Sequence, residues 1–255
     1  MKTPAPGRLL ACYAEQLCAA IEAVVRDEAE AVSMAAALVA VQLRRDGLVY
    51  VYGPGGHSAL AVQDVFYRAG CPINIAPVVD PATMLINGAL RSTSVERTDG
   101  HGAAVVAESG VGSGDPFVIV NAFGVNATAL SAAKAARARG ARVIALSSPA
   151  AVTGLPPEHP ARAHAAADLS RLADVHVDTH VPAADVVLDL GRGVHTGRIS
   201  TALNSFVLHA ILASAVEQFM AADGWVWVWR WSYTPGGDIY NQLAAKRVRD
   251  RVSQL

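Results

Sequence analysis

Charge is scarce in this chain. Only 17% of its 255 residues are Asp, Glu, Lys or Arg, and 21 basic against 22 acidic residues leave a formal net charge of −1. A duplex or single strand of nucleic acid needs a basic excess or stripe to neutralise phosphates, so it is not the expected partner. The one basic cluster, Lys246, Arg247, Arg249 and Arg251, reads as the solvated end of a last helix. Cysteine is equally sparse: Cys12, Cys18 and Cys71 are odd in number and lack metal spacing, which fits a reducing cytoplasm without a disulfide framework. Long apolar runs are missing too. The longest, Met34 to Val41, is far below the ~20 residues that span a bilayer, and Glu15 interrupts the apolar N-terminal stretch before it reaches signal-peptide length. What the chain does have is apolar mass: 52% of it is hydrophobic, which excludes disorder and fills one large core.

Periodicity orders that mass. From Arg8 to Arg45 apolar residues recur at helical spacing, which predicts two helices that break near Arg26 to Glu28 and stop at Gly47. Beyond Gly47 short β-branched runs follow, at 48–52, 73–76, 117–120, 143–146, 175–177 and 186–188, separated by helical stretches at about 58–69, 101–109, 126–139, 161–172 and 199–222. Continuous apolar runs suit strands buried on both faces, and the alternation predicts a parallel sheet with helices on both sides. Ligands of such sheets bind at the carboxyl ends of the strands, so the loops after Tyr52, Ala76, Val120 and Leu146 are where function is sought. The proline-rich piece from Pro149 to Pro160 is read as a long loop within one domain.

Three of those loops carry polar chemistry. Gly53-Pro54-Gly55-Gly56-His57-Ser58 leaves a strand and enters a helix, where glycines admit a ligand to the backbone and free N–H groups meet an anion. It lacks the third glycine of a dinucleotide fingerprint, and no acidic residue follows at about 20 residues; Asp80 lies farther on. Asn121 to Thr128 follows the third strand, with Asn126 placed to cap a helix, and Ser147-Ser148 follows the fourth.

These motifs, with Asp80-Pro81-Ala82, Ser200-Thr201 and Pro235-Gly236-Gly237, resemble the SIS (sugar isomerase) domain over nearly the whole chain. The stretches Phe66 to Gly70, Gly88 to Ser92 with Glu96-Arg97, His159, and Gly236-Gly237-Asp238 with Asn241 are similar to the bacterial phosphosugar-isomerase-like members. The resemblance implies a three-layer α/β/α sandwich with a five-stranded parallel, flavodoxin-like sheet. It also implies a single domain over 1–255: N-terminal helices at 1–46, an α/β core at 47–224, and a C-terminal strand and helix at 225–255. A homodimer or homotetramer with its site near the subunit interface follows, with a sugar or sugar phosphate as ligand and neither cofactor nor metal.

Catalytic members of the family interconvert aldose and ketose through an enediol, which needs a carboxylate and an acid/base partner. Asp80 stands where related arabinose-phosphate isomerases carry a glutamate, so the resemblance makes it the first candidate base; the plainer reading is an N-cap. Asp238 and His57 complete the expected catalytic set, and Gly53, Gly55, Gly56, Ser58, Asn121, Gly124, Asn126, Ser147, Ser200 and Thr201 the binding set. Two departures stand out. Phosphate-binding members carry Ser-x-Ser-Gly-x-Ser/Thr after the third strand, and here only the glycine of Asn121-Ala122-Phe123-Gly124-Val125-Asn126 survives; Thr234 replaces a histidine before Pro-Gly-Gly.

The remaining candidates read more blandly. His101 reads as a solvated helix start, His209 as a core histidine, and His176 and His180 sit on a strand where their spacing builds no zinc site. Glu96 beside Arg97 reads as an ion-paired surface residue, with a second active-site carboxylate as the sharper alternative. Asp64 lies one turn short of where phosphoheptose isomerases place a glutamate, and Arg68 fills that place. Trp225, Trp227, Trp229 and Trp231 alternate, so a strand would send all four rings to one face, as cover for a sheet edge or interface. The favoured reading is a cytoplasmic sugar isomerase. The competing ones are a non-catalytic sugar-binding or regulatory module and, third, a nicotinamide-dependent oxidoreductase.

Overall fold

A computed structural model describes residues 7–163, 167–222 and 224–255. Two helices lead, α1 (Arg8–Asp27) and α2 (Ala29–Arg44), broken at Glu28 as the sequence predicts. The core follows as β1 (Val49–Tyr52), α3 (Gly56–Val65), β2 (Ile75–Val78), α4 (Ala89–Glu96), α5 (His101–Glu108), β3 (Pro116–Val120), α6 (Ala127–Ala138), β4 (Arg142–Ser147), α7 (Leu169–Leu172) and β5 (Val175–Asp178). A hairpin, β6 (Val186–Asp189) and β7 (His195–Arg198), precedes the long α8 (Ser200–Met220) and the last helix α9 (Gly237–Val248).

The strands form one parallel sheet in the order β2-β1-β3-β4-β5. Side chains alternate across it with period two. Val49, Val51, Val118, Val120, Ile144 and Leu146 pack beneath α2, α3 and α8, while Tyr50, Tyr52, Phe117, Ile119, Val143 and Ala145 pack beneath α5, α6 and α9. Both faces are covered, so the strands need apolar residues at every position, which is why they read as continuous runs. Helix α8 is long and apolar enough by length and composition to cross a membrane, but nine of its residues are buried, six of them among α2, α3 and the sheet.

Several expectations need correcting. The run at 186–188 does not join the parallel sheet; it pairs antiparallel with β7, because only one face of it is covered, by α1 and Val181. The predicted helix at 161–172 survives only as α7, started by the Asp168 side chain accepting from Ser170 N at 2.9 Å; residues 164–166 of that span lie outside the described residues. Helix α3 ends at Val65 rather than 69, with Tyr67 turning at φ 55°. The tryptophan stretch is extended, with one bridge, Pro72 to Val228, rather than a full strand. Trp227 stacks on Tyr240 at 5.1 Å and Trp229, 2% exposed, lies 4.5 Å from Tyr67; Trp225 and Trp231 remain 65% and 61% exposed.

Helices α5 and α6 approach each other over Gly102, where a Cβ would collide with the Thr128 carbonyl and come within 2.8 Å of Ala132 N. Backbone cannot retreat as a flexible side chain can. Gly102→Ala is therefore expected to cost about 1–3 kcal/mol, read as a lower urea midpoint at an unchanged m value.

Candidate functional site

Strand order reverses between β1 and β3, and the crevice outside their carboxyl ends is where such sheets bind ligands. The two loops that border it are joined: Asn121 Nδ2 donates to Pro54 O at 3.2 Å, and Asn121 Oδ1 accepts from Gly124 N at 2.8 Å. Asn126 caps α6 by accepting from Ala129 N at 2.7 Å, which fixes its amide so that Nδ2 faces Glu96 Oε2 at 3.2 Å. Helix α4 is held over the crevice by Thr128 Oγ1 donating to Val95 O at 2.8 Å.

That docking lays the Glu96 carboxyl on the glycine turn. Gly55 has φ +98°, and a Cβ there would lie 2.8 Å from Glu96 Oε2, so only glycine lets backbone and carboxyl meet. Burial is the main cause that holds the Glu96 carboxyl above its usual range; hydrogen bonds from Ser92 and Asn126 and the charge of Arg97 oppose it. Hydrogen counting agrees. Ser92 Oγ has one hydrogen and lies 2.7 Å from the Thr83 carbonyl, which can only accept, so its 3.3 Å contact with Glu96 Oε1 is favourable when Glu96 supplies the proton. The surface reading of Glu96 is thereby overturned. The signal available in sequence was the i, i+4 placement of Ser92 and Glu96, which only a predicted α4 would have exposed.

The other expected residues separate into groups. Ser58 and Ser148 are fully buried at the starts of α3 and the β4 exit, and their hydroxyls have no partner among the described residues; the same holds for both amide atoms of Asn204, one turn into α8. Ile199 and Leu203 pack with Ala122 and Val181, which brings the first turn of α8, with Thr201, to the ends of β3 and β5. His57 stands edge-on to Phe123 at 5.9 Å, with burial and then the nearby Arg198 lowering its pKa to about 4, so it is neutral at physiological pH. Gly53 and Gly56 lie tightly under Ser58 O and Leu85, and Gly124 against Ser147.

Other assigned roles meet prior engagements. Ser147 Oγ is bonded to His176 Nε2 at 3.0 Å, and Ser200 gives both its N–H and its hydroxyl to Asp185 at 2.9 Å, so neither side chain is open to a ligand. Asp80, 6% exposed, accepts from Tyr52 Oη at 2.9 Å, Thr83 Oγ1 at 3.0 Å and Ala82 N at 3.2 Å, and holds His101 Nε2 at 3.0 Å. His101, which the sequence left as a solvated start, lines a cleft of about 590 Å³ with Tyr50, Arg91 and Glu108. Asp238 is exposed on the first turn of α9, while Val252 and Gln254, past the other end of that ~18 Å helix, line the cleft at Asp80. The two carboxylates do not converge. His209 is bonded to Asp64 Oδ2 at 3.2 Å and Cys71 at 3.9 Å, half exposed rather than in the core. Among the described residues no three His, Cys, Asp or Glu side chains gather as a metal site.

Comparison with known proteins bears on the family and the fold. The family described as SIS domain matches residues 12–148. The UPF0309 protein of Brucella ovis is 34% identical over 222 residues, which cover 87% of this chain and 88% of that protein, and the UPF0309 protein of Brucella canis matches equally. Among solved structures, a phosphoheptose isomerase from Francisella tularensis superposes with a TM-score of 0.56 at 18% identity, over 84% of this chain and 100% of that one. The phosphoheptose isomerase of Neisseria gonorrhoeae does so at 0.53 and 17%, over 82% and 97%. At those identities the two structures show a shared fold.

The Glu96 carboxyl has a measurable consequence. Its proton affinity is higher folded than unfolded, so it adds stability at low pH that is lost as pH rises from the usual Glu range through the raised folded value. Glu96→Gln cannot titrate. Its melting temperature relative to wild type is expected to climb as pH rises above about 4, the usual Glu value; a difference that stays flat with pH contradicts a half-buried Glu96 of raised proton affinity.

Proposed function

The chain belongs to the SIS-domain family, and on that premise we propose that the β1/β3 crevice binds a sugar or sugar phosphate and interconverts its aldose and ketose forms through an enediol. Glu96 carries this reading: it is a carboxyl of raised proton affinity laid against the glycine turn, where a ligand entering between the two loops meets it. The reaction moves a proton from the carbon beside the carbonyl to the carbonyl carbon, while the carbonyl oxygen gains a proton and the neighbouring hydroxyl gives one up to become the new carbonyl. A carboxylate of raised proton affinity is the stronger base once ionised, which suits the shuttle. Neutral His57 offers a hydrogen bond to a ligand hydroxyl rather than a charge. Asp80, engaged on both oxygens, acts in this scheme by orienting His101 and Tyr52.

A second reading has its own observation. The hydroxyl of Thr234, at the place of the family's histidine, donates to Trp231 O at 2.7 Å, and Asp238 stands apart, so a ring-opening acid from that segment is missing within this chain. A non-catalytic sugar-binding module would keep the crevice and lose the proton transfer.

Exchange of solvent deuterium into the ligand at the carbon beside the carbonyl separates the two. The isomerase reading expects exchange in wild type, a fall of about 10²- to 10⁴-fold in Glu96→Gln, and a ligand-induced thermal shift that both proteins retain. A thermal shift without exchange in wild type selects the binding module, and full turnover in Glu96→Gln removes Glu96 from the chemistry.

A further inference from the structure

Resting on the sugar-site reading above, we propose that the crevice is built for an uncharged, polyhydroxylated ligand, a free aldose or ketose, and discriminates against the phosphate ester of the same sugar. The loop after β3 has no side-chain donor left for a phosphoryl oxygen. Asn121 is engaged with Pro54 and Gly124, Asn126 with Ala129 and Glu96, Ala122 is buried among Ile199 and Leu203, and Phe123 lies against His57. A phosphate dianion relies on charge-assisted donors, and here they are absent from that loop.

The first turn of α8, the other place where helix N–H groups meet an anion, is already filled by one of the protein's own. Asp185 accepts from Ser200 N and Ser200 Oγ at 2.9 Å each and from Arg198 Nε at 2.6 Å, with its side chain 2% exposed. A second anion arriving there meets the carboxylate of Asp185, which has already taken the helix donors of Ser200. At the glycine turn a dianion beside Glu96 raises that carboxyl's proton affinity further and opposes the ionised form that the proton shuttle uses. A buried charge without a matching partner is strongly disfavoured.

What is left open is neutral and two-sided. Ser58 Oγ, Ser148 Oγ, Asn204 Nδ2 and Asn204 Oδ1 are buried without partners among the described residues. Nδ2 can only donate, Oδ1 can only accept, and the hydroxyls do both. A sugar hydroxyl answers each of them. A phosphoryl dianion placed against Asn204 has no hydrogen for Oδ1 and leaves it buried and unsatisfied.

Isothermal titration of the wild-type protein with matched pairs tests this: D-ribose and ribose 5-phosphate, D-glucose and glucose 6-phosphate, D-fructose and fructose 6-phosphate. The expected result is that one free sugar binds at least about tenfold more tightly than its ester, with an affinity that does not change with added salt. An ester that binds as tightly or more tightly overturns the inference and leaves the sugar site standing. Binding of neither member of any pair overturns the sugar site itself, and the inference with it. Phe123→Ser, which returns a hydroxyl to the loop, is expected to narrow the ratio; a ratio unchanged in a folded Phe123→Ser protein overturns the role given to the β3–α6 loop.

Discussion

The contact between the Glu96 carboxyl and the backbone of Gly55 is the constraint from which the rest of the crevice follows. It requires the left-handed turn at Gly55, because any side chain there would occupy the space of the carboxyl. It requires α4 to lie across the sheet end, which the Thr128 to Val95 hydrogen bond secures, and it requires Asn126 to serve α6 and Glu96 with opposite ends of one amide. A neutral amide between a helix terminus and a carboxyl does both jobs without adding charge. Few other side chains satisfy this: a serine at 126 could cap the helix but not reach as a donor from a second atom.

A buried carboxyl group, Asp80, and a half-buried one, Glu96, lie near this end of the sheet, and their surroundings push them towards different work. Asp80 is surrounded by donors, from Tyr52, Thr83, the Ala82 amide and His101, so its oxygens are satisfied and its contribution is to hold other groups in place. Glu96 has one amide donor and a serine whose hydrogen already points at a carbonyl. Its environment favours the protonated form, and a group that is comfortable with a proton and adjacent to an open crevice is the one equipped to exchange it. The distinction is not between an acidic residue at a strand end and one on a helix. It is between a carboxylate with its full set of donors and one without.

Sequence reasoning found the frame because the frame is periodic. Strands buried on both faces leave unbroken apolar runs, α6 starts at a residue that can cap it, and α1 and α2 break where charges interrupt the stripe. The glycine turn at 53–58 was legible for the same reason, since positive φ and close approach demand glycine. Glu96, the Ser200–Asp185 link and the Asp80–His101 pair were not. Each joins residues that only the folded chain brings together: Glu96 with Gly55 and Asn126, Ser200 with Asp185 just before the hairpin strand β6, and Asp80 with a histidine at the start of α5. Local pattern carries no record of such pairings. The tryptophans show the limit from the other side, because period two placed Trp227 and Trp229 together against Tyr240 and Tyr67 but could not say that the segment would stop at one bridge.

The scarcity of charge takes on a local meaning at this end of the molecule. In a site that binds an anion by backbone geometry alone, helix termini and free hydroxyls must converge without a carboxylate among them. Here one of the two available termini is closed by Asp185 and Arg198, and the glycine turn at the other faces Glu96. Charges are therefore present in the crevice, but Asp185 is internally paired and burial raises the proton affinity of Glu96. What they leave for a ligand is a set of polar atoms of both hydrogen-bonding kinds, Ser58, Ser148 and Asn204, whose desolvation only a partner that both donates and accepts can offset. The same fold that elsewhere cradles a phosphate can, by engaging its anion-binding donors internally, be turned towards the hydroxyls of the sugar itself.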